Sequence, residues 1–269
     1  MNAKVALEHA SIVAQQLARQ AGATEIRANA TRMCGRFGFS SSPQRVSSSP
    51  QRVARRFNVA VPESVAAPRF NVAPTQNVLA ITNRDPHTVT ELRWGLVPFW
   101  ATDPATMKLT TFNARIETIA TARMYGEPLR SKRCAILASG FYEWRRNGDG
   151  KKTPMWISRR DEEPFVFAGL WDHWRRGDTA LNSCTIVTQP PNELLAPIHS
   201  RMPVVLHDDA IEQWLSPGNR AADEMLELLV PQQPVAWQAY AVSPRVGNVR
   251  NDDASLIEPA DDNVAISAL

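Results

Sequence analysis

The sequence predicts an α+β fold in a single domain, built on a mostly antiparallel, barrel-like β-sheet with flanking helices. Short apolar segments dominate the chain, and no regular alternation of strand and helix indicates a parallel sheet. Twenty prolines indicate many ordered loops. No linker-like segment interrupts residues 34–259, which are long enough to bury a substantial core.

The strands are predicted where β-branched and aromatic residues cluster between turn residues. These segments are NVLAIT at 77–82, ELRWGL at 91–96, RCAIL at 133–137, MWIS at 155–158, FVFAGL at 165–170 and SCTIVT at 183–188. Apolar residues at helical spacing predict helices over 116–124, 208–215 and 223–230. Residues 260–269 are expected to form a flexible tail.

Residues 1–33 are expected to form an N-terminal extension outside the domain. Their apolar residues recur at helical spacing but are mostly alanine, and charged residues interrupt any signal-peptide core. Three interpretations stay open: a start assigned upstream of the true one at Met33, a segment removed from the mature protein, and a permanent appendage. The first interpretation is favoured, because a helix face made mostly of alanine offers a domain little apolar surface to bury.

Composition and charge exclude several classes of protein. The net charge of +3 does not indicate a nucleic-acid binder, and basic pairs such as Arg145-Arg146 usually form a solvated face. No segment is long and apolar enough to span a membrane. Three cysteines without CxxC spacing indicate a reduced, cytoplasmic protein, in which Cys134 and Cys184 are expected to be buried. The sequence shows no metal cluster or nucleotide-binding loop, so we expect no metal or cofactor. The protein is also expected to be a monomer.

Cys34 carries the most distinctive chemistry in the chain. A cysteine at a free N-terminus has a primary amine and a thiol on adjacent carbons. The amine condenses with an aldehyde to an imine, and the thiolate then closes a five-membered thiazolidine ring. An internal cysteine cannot do this, because its nitrogen is an amide. Met33 directly precedes Cys34, so removal of an initiator methionine there exposes the amine, whereas retention of residues 1–33 blocks it.

Seven short motifs follow one another along the chain. They are CGRF at 34–37, RFNVAP at 69–74, RWGLVP at 93–98, FNARIET at 112–118, GFYEW at 140–144, IHSRMP at 198–203 and VGNV at 246–249. In this order they strongly resemble the SRAP family of abasic-site processing proteins, over about residues 33–259. Each motif is weak alone, but seven in sequence identify the chain at family level.

The resemblance implies capture of abasic sites in single-stranded DNA as a covalent crosslink that shields the lesion, formed by Cys34 as the nucleophile. It also implies that Glu143 and His199 transfer protons and that the amide of Asn113 orients the amine or the sugar hydroxyl. Glu143 lies between two aromatic residues, and desolvation favours the neutral form of a carboxyl group. Outside this context, an isolated Glu or His is more often structural.

Contacts to DNA are expected from charge and from stacking. Arg36, Arg115 and Arg201 lie inside the motifs, and guanidinium groups bind phosphates in two-point geometry. Trp94, Trp100 and Trp144 are candidates for stacking on unpaired bases. The remaining candidates are Asn71, Pro74, Met124, Thr188 and Ser200, followed by the weaker Asn248 and Arg250.

Two other functions stay open. A thiol peptidase could use Cys34, Glu143 and His199 to remove the protein's own leading residues. A non-covalent single-strand binding module would use the arginines and tryptophans alone, if Cys34 stays blocked. Lyase cleavage of the DNA strand would follow from the imine if the thiazolidine ring did not close. The expected location is the cytoplasm, associated with the nucleoid through DNA.

Overall fold

Two β-sheets, one of them closed into a barrel, carry the fold and confirm the predicted α+β class. The structure is a computed structural model that describes residues 35–39, 50–65, 67–104, 111–230, 236–260 and 266–267. Cys34, residues 1–33 and most of the near repeat SSPQRV at 41–46 and 48–53 therefore lie outside the described residues.

Five strands form the closed barrel. They are β3 (Asn77–Thr82), β4 (Asp85–Trp94), β6 (Arg133–Ala138), β9 (Phe165–Arg176) and β10 (Thr179–Gln189). The order is β10-β4-β3-β6-β9, and β9 pairs again with β10, which closes the ring. Every contact in the ring is antiparallel except the parallel pairing of β4 with β10. Further along β10, β5 (Asn113–Arg115) pairs with it in parallel and β11 (Met202–Pro203) pairs antiparallel.

The second sheet is antiparallel throughout. Its strands are, in spatial order, β13 (Ile266–Ser267), β12 (Trp237–Ala241), β8 (Lys152–Arg159), β7 (Gly140–Arg146), β1 (Phe37–Phe39) and β2 (Arg69–Val72). β13 comes from the segment predicted as a tail and pairs with β12. Strand β7 lies near the middle of this sheet and leads from Gly140 to Glu143.

The described α-helices are short. They are α1 (Pro50–Phe57), α2 (Gly126–Ser131), α3 (Asp208–Trp214) and α4 (Ala222–Glu227). α3 lies within its predicted range, and α4 overlaps its own.

The helix predicted over 116–124 is wrong, because this segment forms successive turns. Thr118 and Thr121 are β-branched, and their hydroxyls donate to the carbonyls of Arg115 (3.5 Å) and Thr118 (3.3 Å). Such local bonds compete with a regular helix.

Alternate residues of β6 pack into two different apolar clusters. Ile136 packs with Phe37 and Phe141 of the second sheet, whereas Leu137 packs in the cluster that includes Trp214 of α3. This division follows from the two-residue period of a strand. The second sheet is held on the barrel by edge-to-face rings, with the Phe37 centroid 5.1 Å from that of Trp94 and 5.6 Å from that of Phe167.

The prediction that Cys134 and Cys184 are buried is confirmed. Both are free and completely enclosed, and burial raises the pKa of both thiols. Since the thiolate is the nucleophilic form, neither side chain is suited to attack a substrate. No helix in the described ranges is long and apolar enough to cross a membrane.

Candidate functional site

Glu143 and His199 meet between the second sheet and the barrel. Glu143 lies on β7 and is 3% exposed, and His199 lies in the segment that joins β10 to β11. The His199 Nδ1 atom is 3.8 Å from Glu143 Oε1. The structure therefore brings together two of the four side chains predicted to be catalytic, from positions far apart in the sequence.

Strand alternation explains the burial of Glu143. It projects from the same face of β7 as Phe141, and its neighbour across the sheet is Met155, which packs with Phe141 in the core between the sheets. Tyr142 and Trp144 pack in a different cluster, on the opposite face. The desolvation predicted for Glu143 is therefore supplied by the face it shares with Phe141, and not by its aromatic neighbours in sequence.

The backbone around His199 fixes its imidazole ring. The Arg201 N–H and the Arg201 carbonyl oxygen each lie 3.2 Å from Nδ1, and the His199 N–H donates to the carbonyl of Leu195 at 2.8 Å. Nδ1 accepts from the Arg201 N–H or donates to the carbonyl according to the tautomer. In both tautomers Nδ1 faces the backbone of Arg201 and the carboxyl group of Glu143.

The guanidinium of Arg201 binds a carboxylate within the protein. It contacts both carboxylate oxygens of Glu117, one of them at 2.9 Å, and donates to the carbonyl of Thr188 at 2.8 Å. This is the two-point geometry that the sequence predicted for a phosphate. Glu117 was not singled out from the sequence, although it lies in the FNARIET motif.

Asn113 and Arg115 lie on β5 beside this network. Asn113 pairs with Ile186 of β10, and Arg115 pairs with Thr188. The carbonyl of Thr188 accepts from Arg201, so the Arg201 network adjoins the pairing of β5 with β10. Asn113 is buried, whereas Arg115 is exposed. The Tyr125 hydroxyl lies 3.5 Å from the Asn113 carbonyl, and burial raises the pKa of Tyr125 to about 12.

Arg36 and Asn71 hold the segment that contains the VGNV motif. The Arg36 guanidinium donates to Asn71 Oδ1 (2.9 Å) and to the carbonyls of Val246 (2.6 Å) and Gly247 (3.2 Å). Asn71 Nδ2 donates to the carbonyl of Asn251 at 2.8 Å. Desolvation by burial lowers the pKa of Arg36. Both residues were predicted to contact DNA. In the structure their side chains bond to each other and to the segment 246–251, which ties the chain directly after Cys34 and Gly35 to that segment.

The three predicted stacking tryptophans lie in different environments. Trp94 is 0% exposed, donates from Nε1 to the Phe112 carbonyl at 2.8 Å and presents no face to a base. Trp144 is half-buried. Trp100 is 40% exposed, and the guanidinium carbon of Arg123 lies 4.5 Å from its ring centroid.

The other predicted contact residues differ in accessibility. Pro74, Met124 and Ser200 are half-buried, and Met124 directly follows the Arg123 that packs on Trp100. Thr188 is completely buried, with its hydroxyl 3.3 Å from the Ala114 carbonyl. Asn248 and Arg250 are exposed. Among the described residues, no group of three or more His, Cys, Asp and Glu side chains is arranged to hold a metal ion.

The fold and the site define a class of single-domain α+β proteins with a buried carboxylate and an imidazole between a barrel and a second sheet. The chain belongs to the SOS response associated peptidase (SRAP) family, which matches residues 33–249. The resemblance predicted from the seven motifs is thereby confirmed.

Named relatives match over most of the chain. It is 40% identical over 230 residues to the abasic site processing protein YoqW of Bacillus subtilis, covering 84% of this chain and 99% of the relative. It is 34% identical over 232 residues to the abasic site processing protein YedK of Escherichia coli, covering 84% and 100%. A crystal structure of a protein from Bacteroides thetaiotaomicron is similar with a TM-score of 0.70 and 26% identity, covering 84% and 100%.

Proposed function

We propose that this protein processes abasic sites in DNA, and that it does so by covalent capture through Cys34. The relatives that it matches along their whole length are named abasic site processing proteins. The observation in this chain that carries the proposal is the buried Glu143 with His199 Nδ1 at 3.8 Å, because capture of an aldehyde by an amine requires several proton transfers.

The proposed chemistry needs no oxidant or reductant. The abasic deoxyribose opens to its aldehyde, and the Cys34 amine adds to the C1′ carbonyl carbon to give a carbinolamine. Loss of water gives an imine, and the Cys34 sulfur then adds to C1′, while its proton passes to the former imine nitrogen. The sum is one aldehyde and one aminothiol converted into one thiazolidine and one water.

Glu143 and His199 are placed for the proton steps. Opening of the sugar requires a base at the hydroxyl and an acid at the ring oxygen, and dehydration of the carbinolamine requires an acid at its hydroxyl. A carboxyl group and an imidazole at this distance can act as both acid and base, because a proton that one group takes up can be returned by the other. Burial strengthens their interaction, since water screens it little.

The capture step requires a free amine on Cys34. Residues 1–32 precede the family match, so we propose that the active form begins at Cys34. Peptidase activity is the second candidate, supported by the name of the family. Hydrolysis of the peptide bond before Cys34, by the same thiol, carboxyl and imidazole groups, would generate the required N-terminus.

Single-stranded DNA is the proposed partner. The exposed Arg115 and the exposed ring of Trp100 suit a phosphate and an unpaired base, neither of which needs a duplex groove. We propose a single chain as the active unit, since Glu143 and His199 meet within one domain. We propose the cytoplasm as its location, since a reducing compartment keeps the Cys34 thiol available.

Replacing the thiol tests this proposal. We expect the variant Cys34→Ala of the protein beginning at residue 34 to lose the heat-stable crosslink to an abasic oligonucleotide. It keeps an amine and therefore forms an imine that persists only when borohydride reduces it. The measurement is a denaturing gel with and without borohydride. Cys184→Ala is the matched control, since it removes a buried thiol and should leave the crosslink unchanged. A normal yield of heat-stable crosslink from Cys34→Ala would disprove covalent capture by this residue.

A further inference from the structure

An exposed pair of aromatic rings stands on the loop that follows β4. Phe99 is 58% exposed and Trp100 is 40% exposed, and in the described part of the chain Val249 is the only other large apolar side chain so exposed. We call Phe99 and Trp100 the aromatic rim. Adjacent exposed aromatic side chains are typical of binding surfaces, because a folded chain otherwise buries such area.

Side chains of three barrel residues bond to the loop that carries the aromatic rim. The Val97 N–H donates to Ser183 Oγ at 2.8 Å, the Phe99 N–H donates to Asp172 Oδ2 at 2.8 Å, and Trp174 Nε1 donates to the Ala101 carbonyl at 2.8 Å. Ser183, Asp172 and Trp174 all lie on the paired barrel strands β9 and β10. The rings are therefore exposed while their backbone is fixed to the barrel.

Asp172 is the charged member of this set and is 0% exposed. Its Oδ1 atom accepts from Lys132 Nζ at 2.7 Å and from the His173 N–H at 2.8 Å. The same Nζ atom lies 5.3 Å from the ring centroid of Phe99. One buried carboxylate thus fixes the Phe99 backbone and holds a cation against its ring, a contact that also restricts the ring.

The aromatic rim borders the candidate site. The Leu96 N–H donates to the Thr111 carbonyl at 3.2 Å, two residues before Asn113. On the other side, Trp100 packs under Arg123, whose neighbour Met124 follows β5 in the turn segment. The loop that carries the rim is therefore attached to both ends of the segment that carries Asn113 and Arg115.

We infer that Asp172 is a positioning residue for single-stranded DNA: through the Phe99 backbone and Lys132 it fixes the aromatic rim for stacking on a base beside the lesion, with Phe99 as a stacking residue next to Trp100. The inference rests on the proposed function. A fixed ring loses little conformational entropy when a base stacks on it, so releasing the loop weakens binding without removing either ring.

A double-mutant cycle tests this inference with the chain beginning at Cys34. Binding is measured by fluorescence anisotropy with an undamaged single-stranded oligonucleotide, and capture is measured with an abasic oligonucleotide at saturating concentration. We expect Asp172→Asn to raise the Kd roughly fivefold to tenfold, as expected for partial loss of one stacked base. The capture rate at saturation should stay within about twofold, because the proton-transfer groups are untouched.

The cycle separates a positioning role from a merely structural one. In a chain carrying both Phe99→Ala and Trp100→Ala, Asp172→Asn should weaken binding no further, since the rings through which it acts are gone. An equal loss in both backgrounds, or an unchanged Kd in the original one, would overturn the inference.

If Asp172→Asn fails to fold, Lys132→Met replaces it in the same cycle, because it removes the cation that Asp172 holds against the Phe99 ring. The same results then support or overturn the inference. Failure of the unaltered chain to bind the undamaged oligonucleotide would overturn the single-strand part of the proposed function as well. Normal binding of that oligonucleotide by the unaltered chain, together with equal losses of affinity in both backgrounds, would overturn the inference and leave the proposed function intact.

Discussion

Glu143 occupies a position where strand alternation would ordinarily place an apolar side chain. It follows Phe141 on the core face of β7, faces Met155 on β8 and is nearly completely buried. Burial of a carboxyl group is unfavourable unless polar groups compensate, and His199 lies within ion-pair distance. A carboxyl retained at such a position is better explained by chemistry than by stability.

The variant Glu143→Gln tests this explanation. We expect the rate of abasic-site capture at saturating DNA to fall roughly 10²–10⁴-fold, as for loss of a general acid–base group. The Kd for undamaged single-stranded DNA should not change, because the amide keeps the shape of the side chain. Glu91→Gln is the matched control, since Glu91 is an exposed strand carboxylate bonded to Asn77. An unchanged capture rate in Glu143→Gln would make Glu143 structural.

The sequence identified several residues of the candidate site but not their contacts. The motifs pointed to Glu143 and His199, whereas the engagement of Arg201 by Glu117 could not be foreseen. Arg36 and Val246 are 210 residues apart in the chain, and only the assembled sheet brings them to 2.6 Å. Whether a motif arginine contacts DNA or the protein's own backbone depends on such long-range packing.

At the scale of elements, Gly140 fixes how β7 enters the site. A Cβ atom on Gly140 would lie 2.3 Å from Cζ2 of Trp156, which is itself buried and packs against Tyr142 in a tilted arrangement with ring centroids 4.7 Å apart. Glycine is therefore required by close approach of the Trp156 ring to the strand. Since Glu143 lies three residues further along β7, displacement of this strand would also move the carboxyl group.

The substitution Gly140→Ala tests this packing. We expect the free energy of unfolding to fall by about 1–3 kcal/mol, the usual effect of overpacking a filled core. The measurement is urea unfolding, and capture of abasic DNA should slow in parallel. Gly148→Ala is the control, because a Cβ atom at Gly148 meets nothing within 4 Å. Equal unfolding curves for the two variants would mean that the Trp156 ring moves without penalty.

Element positions were predictable where local pattern decides them. The strand predicted over 77–82 matches β3, whereas the one predicted over 165–170 continues as β9 to Arg176. The polar end of β9 pairs with β10 as far as Arg176 opposite Thr179, so hairpin pairing extends it beyond its apolar part. The turns at 116–124 were missed because threonine hydroxyls share the carbonyls of Arg115 and Thr118 with backbone N–H groups, and such local bonds favour separate turns over a continuous helix.

At the scale of the whole molecule, the three tyrosines of the chain report on the packing. Burial raises the pKa of Tyr125 to about 12 and raises those of Tyr142 and Tyr240 as well. In the unfolded chain each ionises near the ordinary value of 10.0. The folded pKa values are raised, so this contribution to stability is complete below pH 10.0 and is lost as the pH rises through the folded values.

Alkaline titration tests this packing. We expect no tyrosinate absorbance to develop while the protein stays folded near pH 10.0, and ionisation to coincide with loss of secondary structure above it. The measurement combines tyrosinate absorbance with far-ultraviolet circular dichroism on one sample. Tyrosinate absorbance near pH 10.0 from a protein whose circular dichroism spectrum is unchanged would show that at least one of these rings is accessible.

The topology of the whole sheet was only partly predictable. Short strands indicated a mostly antiparallel, barrel-like arrangement, and the family motifs agreed. The parallel contact between β4 and β10 was not predictable, because it joins segments distant in the chain and no local pattern encodes it. Together with the parallel pairing of β5 with β10, it brings Asn113 and the loop that carries the aromatic rim to one edge of β10.

The central claim is that a free Cys34 captures abasic DNA, and intact mass tests it most directly. The protein would be purified from its native cells and weighed before and after incubation with an abasic single-stranded oligonucleotide. We expect a mass that begins at Cys34 and gains one oligonucleotide less one water. A stable adduct on a chain that still carries residues before Cys34 would contradict it, as would a chain that begins at Cys34 and gains nothing.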